Sequence, residues 1–300
     1  MTLPQLADSN EQAKWERFCD LLWYNEKLGF WIDTSRMNIN NEDFDKYQIY
    51  FKNCFSAMKQ IENGSIANED EQRKVGHYWL RNPLVAPDDS IRDTIYQQVN
   101  SIKKFARHIL EAQITNELNE PFTDVLWIGI GGSALGPLLI VESLQEVNKG
   151  LNFHFLDNID PEGISKINTD LVDKIKNTLV VVVSKSGGTP EPKLGMDQIR
   201  DFVERSGLSW KARAVAITME SSNLDNIAVR EKWLARFDLP DWVGGRTSIT
   251  GAVGLLPIGL VDSNISDFIE GASLMDAITR ETDIRNNPSA LLALSWLKAG

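Results

Sequence analysis

Two loops rich in glycine and hydroxyl side chains could bind a phosphate group. Residues 129–136 read Gly-Ile-Gly-Gly-Ser-Ala-Leu-Gly and residues 184–189 read Ser-Lys-Ser-Gly-Gly-Thr, each directly after an apolar run. Glycine lets backbone N–H groups approach an anion closely, and the start of a following helix adds free N–H groups and a positive dipole end. Two such loops in one chain predict a single phosphate bound at the carboxyl edge of a parallel sheet.

The second loop carries the clearer signal because it holds three hydroxyl groups, on Ser184, Ser186 and Thr189. A phosphate monoester accepts such donors at its terminal oxygens, and each charge-assisted hydrogen bond contributes roughly 1.5–3 kcal/mol. Thr189 followed by Pro190 is also typical of a capped helix after a tight turn, which is the alternative explanation of the loop. Lys185 either attracts the phosphate dianion or is a solvated side chain.

A third segment, residues 242–254, places an arginine between paired glycines and a predicted helix start. Gly244 and Gly245 allow a sharp turn directly before Arg246. Because arginine stays protonated at any working pH, it can stabilise an oxyanion without donating its proton. The segment therefore predicts a fixed positive charge near the ligand. The alternative is an ion pair between Arg246 and a carboxylate of the helix layer.

The first loop also satisfies the dinucleotide-binding fingerprint. Gly129, Gly131 and Ala134 have its spacing, and Asp157 ends the next apolar run where a ribose-binding acidic residue is expected. In that interpretation a pyrophosphate would lie on the helix that begins near Ser133. A nicotinamide enzyme has no general need for a second hydroxyl-rich loop, so the two loops together favour a sugar phosphate.

The sequence that must position these loops has two halves with different hydrophobic patterns. Residues 11–117 carry apolar side chains at helical spacing, which predicts a mostly helical N-terminal region. Two prolines within residues 82–89 interrupt it, and Asp89 or Ser90 can cap a helix that runs toward Leu118.

A border near residues 119–123 separates this region from a second half with a different pattern. Short continuous apolar runs there predict strands at residues 125–130, 152–156, 179–183, 214–218 and 242–243. Continuous hydrophobicity is typical of parallel strands that are covered on both faces. The predicted fold class is therefore α/β, a three-layer αβα sandwich with a parallel sheet.

The whole chain has the composition of an ordinary globular protein, with 300 residues, 42% hydrophobic content and a net charge of −11. This acidity argues against a broad surface for nucleic acid or anionic membranes.

The first eight residues contain no basic segment followed by an apolar core, which predicts a cytoplasmic protein without a secretion signal. Cys19 and Cys54 lie far apart with no nearby histidine, so we expect small core residues rather than disulfide partners or zinc ligands.

The three motifs together closely resemble the glucose-6-phosphate isomerase (phosphoglucose isomerase) family. The order and spacing of the Gly-Ile-Gly-Gly-Ser, Ser-Lys-Ser-Gly-Gly-Thr and Gly-Gly-Arg motifs all fit, and the resemblance runs from about residue 70 to the end. Residues 73–81 look like a degraded form of the family's N-terminal helical segment. Thr247 departs from the family pattern, because many members carry an aromatic residue after the arginine.

The resemblance implies a sugar-isomerase (SIS) type fold over residues 121–290. A helical region, residues 1–120, would precede it, and a helix at residues 291–300 would lead into a second domain. Arg246 would be the catalytic residue on this chain, with Gly245 in the loop near the substrate. The residues implied to bind the substrate phosphate are Gly132, Ser133, Ser184, Lys185, Ser186 and Thr189.

The family's reaction interconverts glucose 6-phosphate and fructose 6-phosphate by ring opening and proton transfer through a cis-enediolate, without a metal or organic cofactor. The resemblance further implies a homodimer, and a catalytic glutamate, a histidine and a lysine located beyond residue 300. We therefore expect the chain to be the N-terminal part of a longer enzyme and to be inactive alone. No catalytic role is assigned to the internal candidates Glu142, Glu191, His77, His108 and His154.

Two other functions stay open at the level of sequence. One is a regulator that binds sugar phosphates on the same fold without catalysis. The other is an NAD-dependent enzyme built on the first loop. An amidotransferase-type sugar synthase is disfavoured, because its family begins with a nucleophilic cysteine whereas Thr2 follows Met1 here.

Overall fold

The computed structural model describes residues 10–300, so the segment that carries the prediction about a secretion signal lies outside the described residues. The chain divides into two compact units. One unit combines the N-terminal part up to Asn63 with Glu270–Gly300, and the other is Gly64–Ile269. The sequence-based boundaries near residues 120 and 290 stay a prediction.

The helices and strands follow one another along the chain with short connections. The helices are α1 (Glu11–Leu21), α2 (Asn41–Glu62), α3 (His77–Arg81), α4 (Asp89–Leu110), α5 (Gly132–Leu144), α6 (Pro161–Leu171), α7 (Pro190–Arg205), α8 (Asn223–Glu231), α9 (Ala252–Leu260), α10 (Ile265–Thr279) and α11 (Pro288–Ala299). The strands are β1 (Leu22–Asn25), β2 (Phe30–Asp33), β3 (Ile66–Asn68), β4 (Arg73–Lys74), β5 (Asp124–Ile128), β6 (Asn152–Leu156), β7 (Thr178–Val183), β8 (Ala214–Thr218) and β9 (Ala235–Asp238). Between residues 10 and 300, no helix is both long and apolar enough to cross a membrane.

The unit built from the two ends of the chain has its own small core. Leu21 and Phe44 from the N-terminal segment pack in one cluster with Ile284 and Leu294 from the C-terminal segment. Asn40 begins α2 with a capping box, in which its side chain and that of the third helical residue satisfy each other's backbone N–H groups. Apolar burial and polar contacts, such as the ion pair between Lys298 and Asp43 at 2.9 Å, therefore hold the two segments together across a large separation in sequence.

The larger unit is organised around a five-stranded sheet with the order β6-β5-β7-β8-β9. All four strand pairs are parallel, as the continuous apolar runs predicted. The chain leaves β5 toward one edge to form β6, then returns to place β7 on the other side of β5. The gap between β5 and β7 is thus the topological switch point, where open α/β sheets bind their ligands.

Successive residues of each central strand point to opposite faces of this sheet. Val125 and Trp127 of β5 join a core cluster that includes apolar side chains of α4, α5 and α9. Leu126 and Ile128 join a second cluster formed with α6, α7 and α8. Helices thus cover both faces, which confirms the predicted three-layer αβα sandwich.

The predicted fifth strand was placed wrongly. The last strand of the sheet is β9, Ala235–Asp238, whereas Trp242 and Val243 lie in the loop after it. β9 is a short edge strand with two charged residues, so it lacks the continuous apolar run of the central strands. Trp242 instead packs against Trp79, with 5.1 Å between the ring centroids.

The N-terminal half also differs from the helical pattern predicted for it. The antiparallel hairpins β1–β2 and β3–β4 interrupt the helices, and α1 ends before Leu22 and Trp23, which belong to β1. Asp88, rather than the two residues proposed, caps α4. The expectation that Cys19 and Cys54 are core residues is wrong, because both are exposed on helices that bury few of their residues.

Candidate functional site

The first two loops leave neighbouring strands at the same edge of the sheet. β5 and β7 are paired in register, with Ile128 opposite Val182. Because adjacent strands lie roughly 4.7–4.9 Å apart, the loops that follow them begin side by side. The sheet therefore brings the two predicted anion-binding loops to the switch point.

The first loop is shaped by a glycine in the left-handed region. Gly131 has a φ of 56°, a value that favours glycine, and α5 begins at the next residue without a side-chain cap. The amides of Gly131 and Gly132 have no acceptor among the described residues. The buried indole of Trp127 donates to the backbone oxygen of Ser133 at 2.8 Å and so holds the loop in place. Sequence patterns did not single out this tryptophan.

The third segment lies directly against the start of α5. A Cβ atom on Gly132 would come within 2.3 Å of the carbonyl carbon and oxygen of Gly245 and 2.9 Å from the amide nitrogen of Arg246. The Arg246 side chain is exposed and forms no ion pair within residues 10–300. The alternative of a carboxylate partner in the helix layer is thus not observed. The backbone of Arg246 thus lies beside the first loop, and its side chain is exposed.

The second loop places one hydroxyl group in an unusual environment. Ser184 is buried, and its Oγ has no hydrogen-bond partner. Ser186 is exposed, and its Oγ accepts a hydrogen bond from the Gly188 amide at 3.2 Å. Thr189 is the N-cap of α7 by position but makes no side-chain cap, with Pro190 following it as predicted. Buried hydroxyls normally have partners, so Ser184 Oγ is one of the few buried polar atoms of the described residues with unused hydrogen-bonding capacity.

Thr218, at the end of β8, forms hydrogen bonds that hold this loop in place. Thr218 Oγ1 donates to the carbonyl oxygen of Ser184 at 2.7 Å and lies 2.6 Å from Ser222 Oγ. The Met219 amide donates to the carbonyl of Lys185 at 3.0 Å. These contacts hold the carbonyl groups of Ser184 and Lys185 against the end of β8. A strand-end threonine was the only sequence signal for this support.

The ammonium group of Lys185 forms hydrogen bonds within the protein and is not a freely solvated side chain. Its Nζ donates to the carbonyl oxygens of Asp241 at 2.6 Å and Val243 at 2.8 Å. Asp241 directly precedes the third segment, and Val243 is the second residue of that segment. Burial lowers the pKa of Lys185, and the positive charge of Arg73 adds to this effect. The side chain therefore connects the second loop to the third segment.

A cavity of about 440 Å³ lies beside the second loop. Its lining includes Ser184, Gly187 and Gly188 of the loop, Lys193 of α7 and Arg230 of α8. Ser184 thus lines the cavity, although its Oγ is itself buried.

The candidate histidines lie on structural elements, and one of them has a clear structural partner. His154 Nε2 lies 2.8 Å from Asp124 Oδ1, at the opposite end of the sheet from the loops. Burial would raise the pKa of Asp124, but hydrogen bonds from His154 and Thr123 outweigh it and lower the pKa. Within residues 10–300 no cluster of His, Cys, Asp and Glu has the arrangement needed to hold a metal ion.

Residues 33–298 match the family model described as Phosphoglucose isomerase. The chain belongs to the phosphoglucose isomerase family. It is 58% identical over its whole length to a glucose-6-phosphate isomerase from a strain of Prochlorococcus marinus, of which it covers 56%. It is 53% identical to one from a strain of Synechococcus, with the same coverage. The chain thus spans about half the length of the curated relatives it matches.

Solved structures support the same assignment at the level of the fold. This phosphoglucose isomerase family chain resembles the crystal structure of a glucose-6-phosphate isomerase from Chlamydia trachomatis, with a TM-score of 0.81 and 25% identity. That similarity covers 94% of this chain and 54% of the other. A hypothetical protein from Thermus thermophilus shares the fold at a TM-score of 0.65 and 23% identity, over 86% of this chain and 55% of the other.

The departure from the phosphoglucose isomerase family pattern at Thr247 has a local structural role. Both its amide and its Oγ1 donate to the carbonyl oxygen of Gly244, at 3.1 Å each. These bonds close the turn that carries Arg246. The hydroxyl therefore supplies a conformational restraint in this turn.

Proposed function

We propose that the protein carrying this chain interconverts glucose 6-phosphate and fructose 6-phosphate. The observation that carries the proposal is the backbone contact between Gly132 and Gly245, which puts Arg246 beside the helix start of the first phosphate-binding loop. Membership of the phosphoglucose isomerase family supports this reaction, and so does the similarity to curated relatives named glucose-6-phosphate isomerase.

The phosphate of the hexose would bind where the two loops meet. Ser184, Ser186, Ser133 and Thr189 would donate from their hydroxyl groups, and the amide of Gly132 would donate from the start of α5. The unpartnered Ser184 hydroxyl supports this assignment, since a phosphate oxygen would satisfy it. Phosphate binding at this edge leaves the sugar carbons to extend toward the third segment.

Arg246 would stabilise the negative charge of the cis-enediolate as a proton moves between C2 and C1. Its guanidinium remains charged at every working pH and has no carboxylate partner within residues 10–300. A positioned donor of this kind that acts on developing charge contributes about 10²–10³ in turnover.

The remaining chemical groups and the assembly belong to the same proposal. We expect the base, the ring-opening histidine and a further lysine from outside residues 1–300, since the chain covers 56% of its relatives. We also expect a homodimer that functions in the cytoplasm. Sedimentation of the full-length protein measures the assembly directly.

A coupled isomerase assay on the full-length protein tests the reaction. Arg246→Ala is expected to lower kcat by about 10²–10³ because it removes charge stabilisation in the transition state. Ser186→Ala is expected to raise KM mainly, because it removes a contact present in the ground state as well. The opposite pattern would mean that the two roles are exchanged.

The assay also separates the other two functions. Calorimetric binding of fructose 6-phosphate without any conversion would favour a non-catalytic regulator. Protection against heat by NAD, but not by hexose phosphates, would favour an NAD-dependent enzyme. Turnover of neither sugar would refute the isomerase proposal.

A further inference from the structure

Three consecutive carbonyl groups where the third segment begins are all held by hydrogen bonds. Lys185 Nζ binds the oxygens of Asp241 and Val243, at 2.6 and 2.8 Å, and the amide of Gly76 donates to the oxygen of Trp242 at 2.9 Å. An ammonium group has three N–H donors, so two of those on Lys185 are committed to these carbonyls. The end of the Lys185 side chain is therefore bound by backbone atoms of the protein.

These contacts end immediately before the two glycines that precede Arg246. Gly244 and Gly245 have no side chains of their own, so the direction of the chain at Arg246 depends on backbone contacts. These are the bond from Lys185 to Val243 before the glycines and the packing of Gly245 against Gly132. Beyond that point the turn is closed locally, since Ser248 Oγ donates to the carbonyl of Gly245 at 2.8 Å. The bond to Val243 is therefore the last one before Arg246 that comes from the second loop.

We propose that Lys185 is a positioning residue, whose ammonium group holds the third segment so that Arg246 lies beside the phosphate-binding loops. The inference rests on the proposed isomerase function. It differs from the role implied by the family resemblance, in which Lys185 acts on the phosphate. In the structure one residue joins the second loop to the segment that carries the guanidinium.

The electrostatic surroundings agree with this role. Burial disfavours the charged ammonium, and Arg73 lies close enough to repel it, so its pKa is lowered. Two backbone carbonyls at short distance compensate for the lost hydration of the charge. Since two of its three N–H donors already have these partners, at most one remains for a phosphate oxygen.

Kinetics of full-length Lys185→Met and Lys185→Arg variants test the proposal. Methionine has a similar length but no donor, so we expect kcat to fall about 100-fold through misplacement of Arg246, with KM changed by less than about threefold. Arginine can donate to two carbonyls, so it is expected to restore a large part of kcat. If Lys185 instead binds the ligand, inhibition by inorganic phosphate should weaken by about 10- to 100-fold with kcat maintained. That result would overturn the proposal.

Hydrogen exchange supplies a readout that does not depend on catalysis. We expect Lys185→Met to increase exchange at the amides of residues 244–248 and to leave β5 and β7 protected as in the wild type. Wild-type exchange in these amides would overturn the inference. An inactive wild-type protein would refute the isomerase function alone, because the exchange result would still decide whether Lys185 holds the segment. If Lys185→Met does not fold, Lys185→Gln provides a polar replacement too short to reach both carbonyls.

Discussion

The Ser184 hydroxyl is unfavourable for the stability of the ligand-free protein, and its place at the proposed phosphate site gives the reason for it. A buried hydroxyl without a partner forgoes hydrogen bonds that it makes with water in the unfolded chain. An unsatisfied group of this kind in a native protein calls for an explanation, and a ligand acceptor supplies one. At this position the stability of the ligand-free protein and the affinity for phosphate are therefore expected to change in opposite directions.

Ser184→Ala tests that relation. We expect the melting temperature without ligand to stay equal or rise, because an unsatisfied polar group is removed. The increase in melting temperature caused by inorganic phosphate should become smaller, since binding to the native state is weaker. Differential scanning fluorimetry with a phosphate titration measures both effects.

Thr178→Val is a matched control from the other end of the same strand. The Thr178 hydroxyl is buried but donates to the carbonyl of Lys174 at 2.9 Å. Its removal should lower stability by about 1 kcal/mol and leave the phosphate-induced shift unchanged. If Ser184→Ala behaved like this control, the idea of a ligand-satisfied hydroxyl would be wrong.

Asp238, at the end of β9, provides a prediction about pH. Burial raises its pKa, the charges of Glu220 and Asp225 act in the same direction, and hydrogen bonds from backbone amides oppose them only in part. Because the folded pKa lies above the ordinary value of 3.8, this group stabilises the fold at low pH, and that contribution is lost as pH rises through the folded pKa.

Asp238→Asn should therefore melt at a higher temperature than the wild type at neutral pH. Asparagine keeps an oxygen that can accept the hydrogen bond from the Glu220 amide, which is 3.3 Å long, and it cannot ionise. The difference from the wild type should shrink as the pH approaches 3.8. A difference that is independent of pH would contradict the assignment to ionisation.

At the scale of elements, the close approach of α5 and the third segment can be tested with one methyl group. A Cβ on Gly132 would lie 2.3 Å from backbone atoms of Gly245, which cannot rotate away as a side chain can. Gly132→Ala should push the segment outward and, under the proposed isomerase function, lower kcat of the full-length protein by about 100-fold, with a smaller effect on its folding.

Gly271→Ala is the corresponding control, because nothing lies within 4 Å of the added methyl group. This glycine is inside α10, where alanine should stabilise the helix by roughly 0.5–1 kcal/mol and leave turnover unchanged. Wild-type turnover in Gly132→Ala would show that the contact does not control the position of Arg246.

The strands that could be predicted from the sequence are those that contain a short run of apolar residues. β6, at an edge of the sheet, and β8, inside it, occupy the residue ranges predicted for them, because each contains a short run of mostly apolar residues. β9 was missed because an edge strand needs only one buried residue among four, here Phe237. The hairpin β1–β2 was missed because its aromatic side chains also fit a helical spacing.

At the scale of the whole molecule, a buried charge anchors the loop between α4 and β5. Arg213 is fully buried, and its guanidinium donates to both carboxylate oxygens of Glu117, at 2.8 and 2.9 Å. Burial would raise the pKa of Glu117, but hydrogen bonds from the Ser209 amide and Arg213 outweigh it and lower the pKa. The stabilising contribution is therefore present above the ordinary pKa and is lost as pH falls through the folded value.

Glu117→Ala should lower the free energy of unfolding by about 3–5 kcal/mol, because it leaves the charge of Arg213 buried with backbone carbonyls but no carboxylate beside it. Urea denaturation at neutral pH measures this loss, and adding Arg213→Met should recover part of it. Asp201→Ala, which removes an exposed ion pair with Arg205 on α7, is the control and should have little effect. A loss as small as that of the control would show that Arg213 finds other partners.

The candidate site was predictable from sequence only in its parts. Glycine and hydroxyl patterns identify each loop, and the parallel sheet predicts that the first two loops meet. The packing of Gly132 on Gly245 joins segments far apart in sequence, so no local pattern contains it. The same holds for Lys185, whose partners are backbone carbonyls that carry no sequence signal.

The unit formed by both ends of the chain cannot be completed in the order in which a ribosome delivers it. Leu21 and Phe44 are made early, but Ile284 and Leu294, which share their core, follow only after Gly64–Ile269. At about 5–20 residues per second, a stretch of roughly 200 residues takes about 10–40 s. During this delay the N-terminal segment lacks the C-terminal part of its core, whereas all five strands of the larger sheet have already been synthesised.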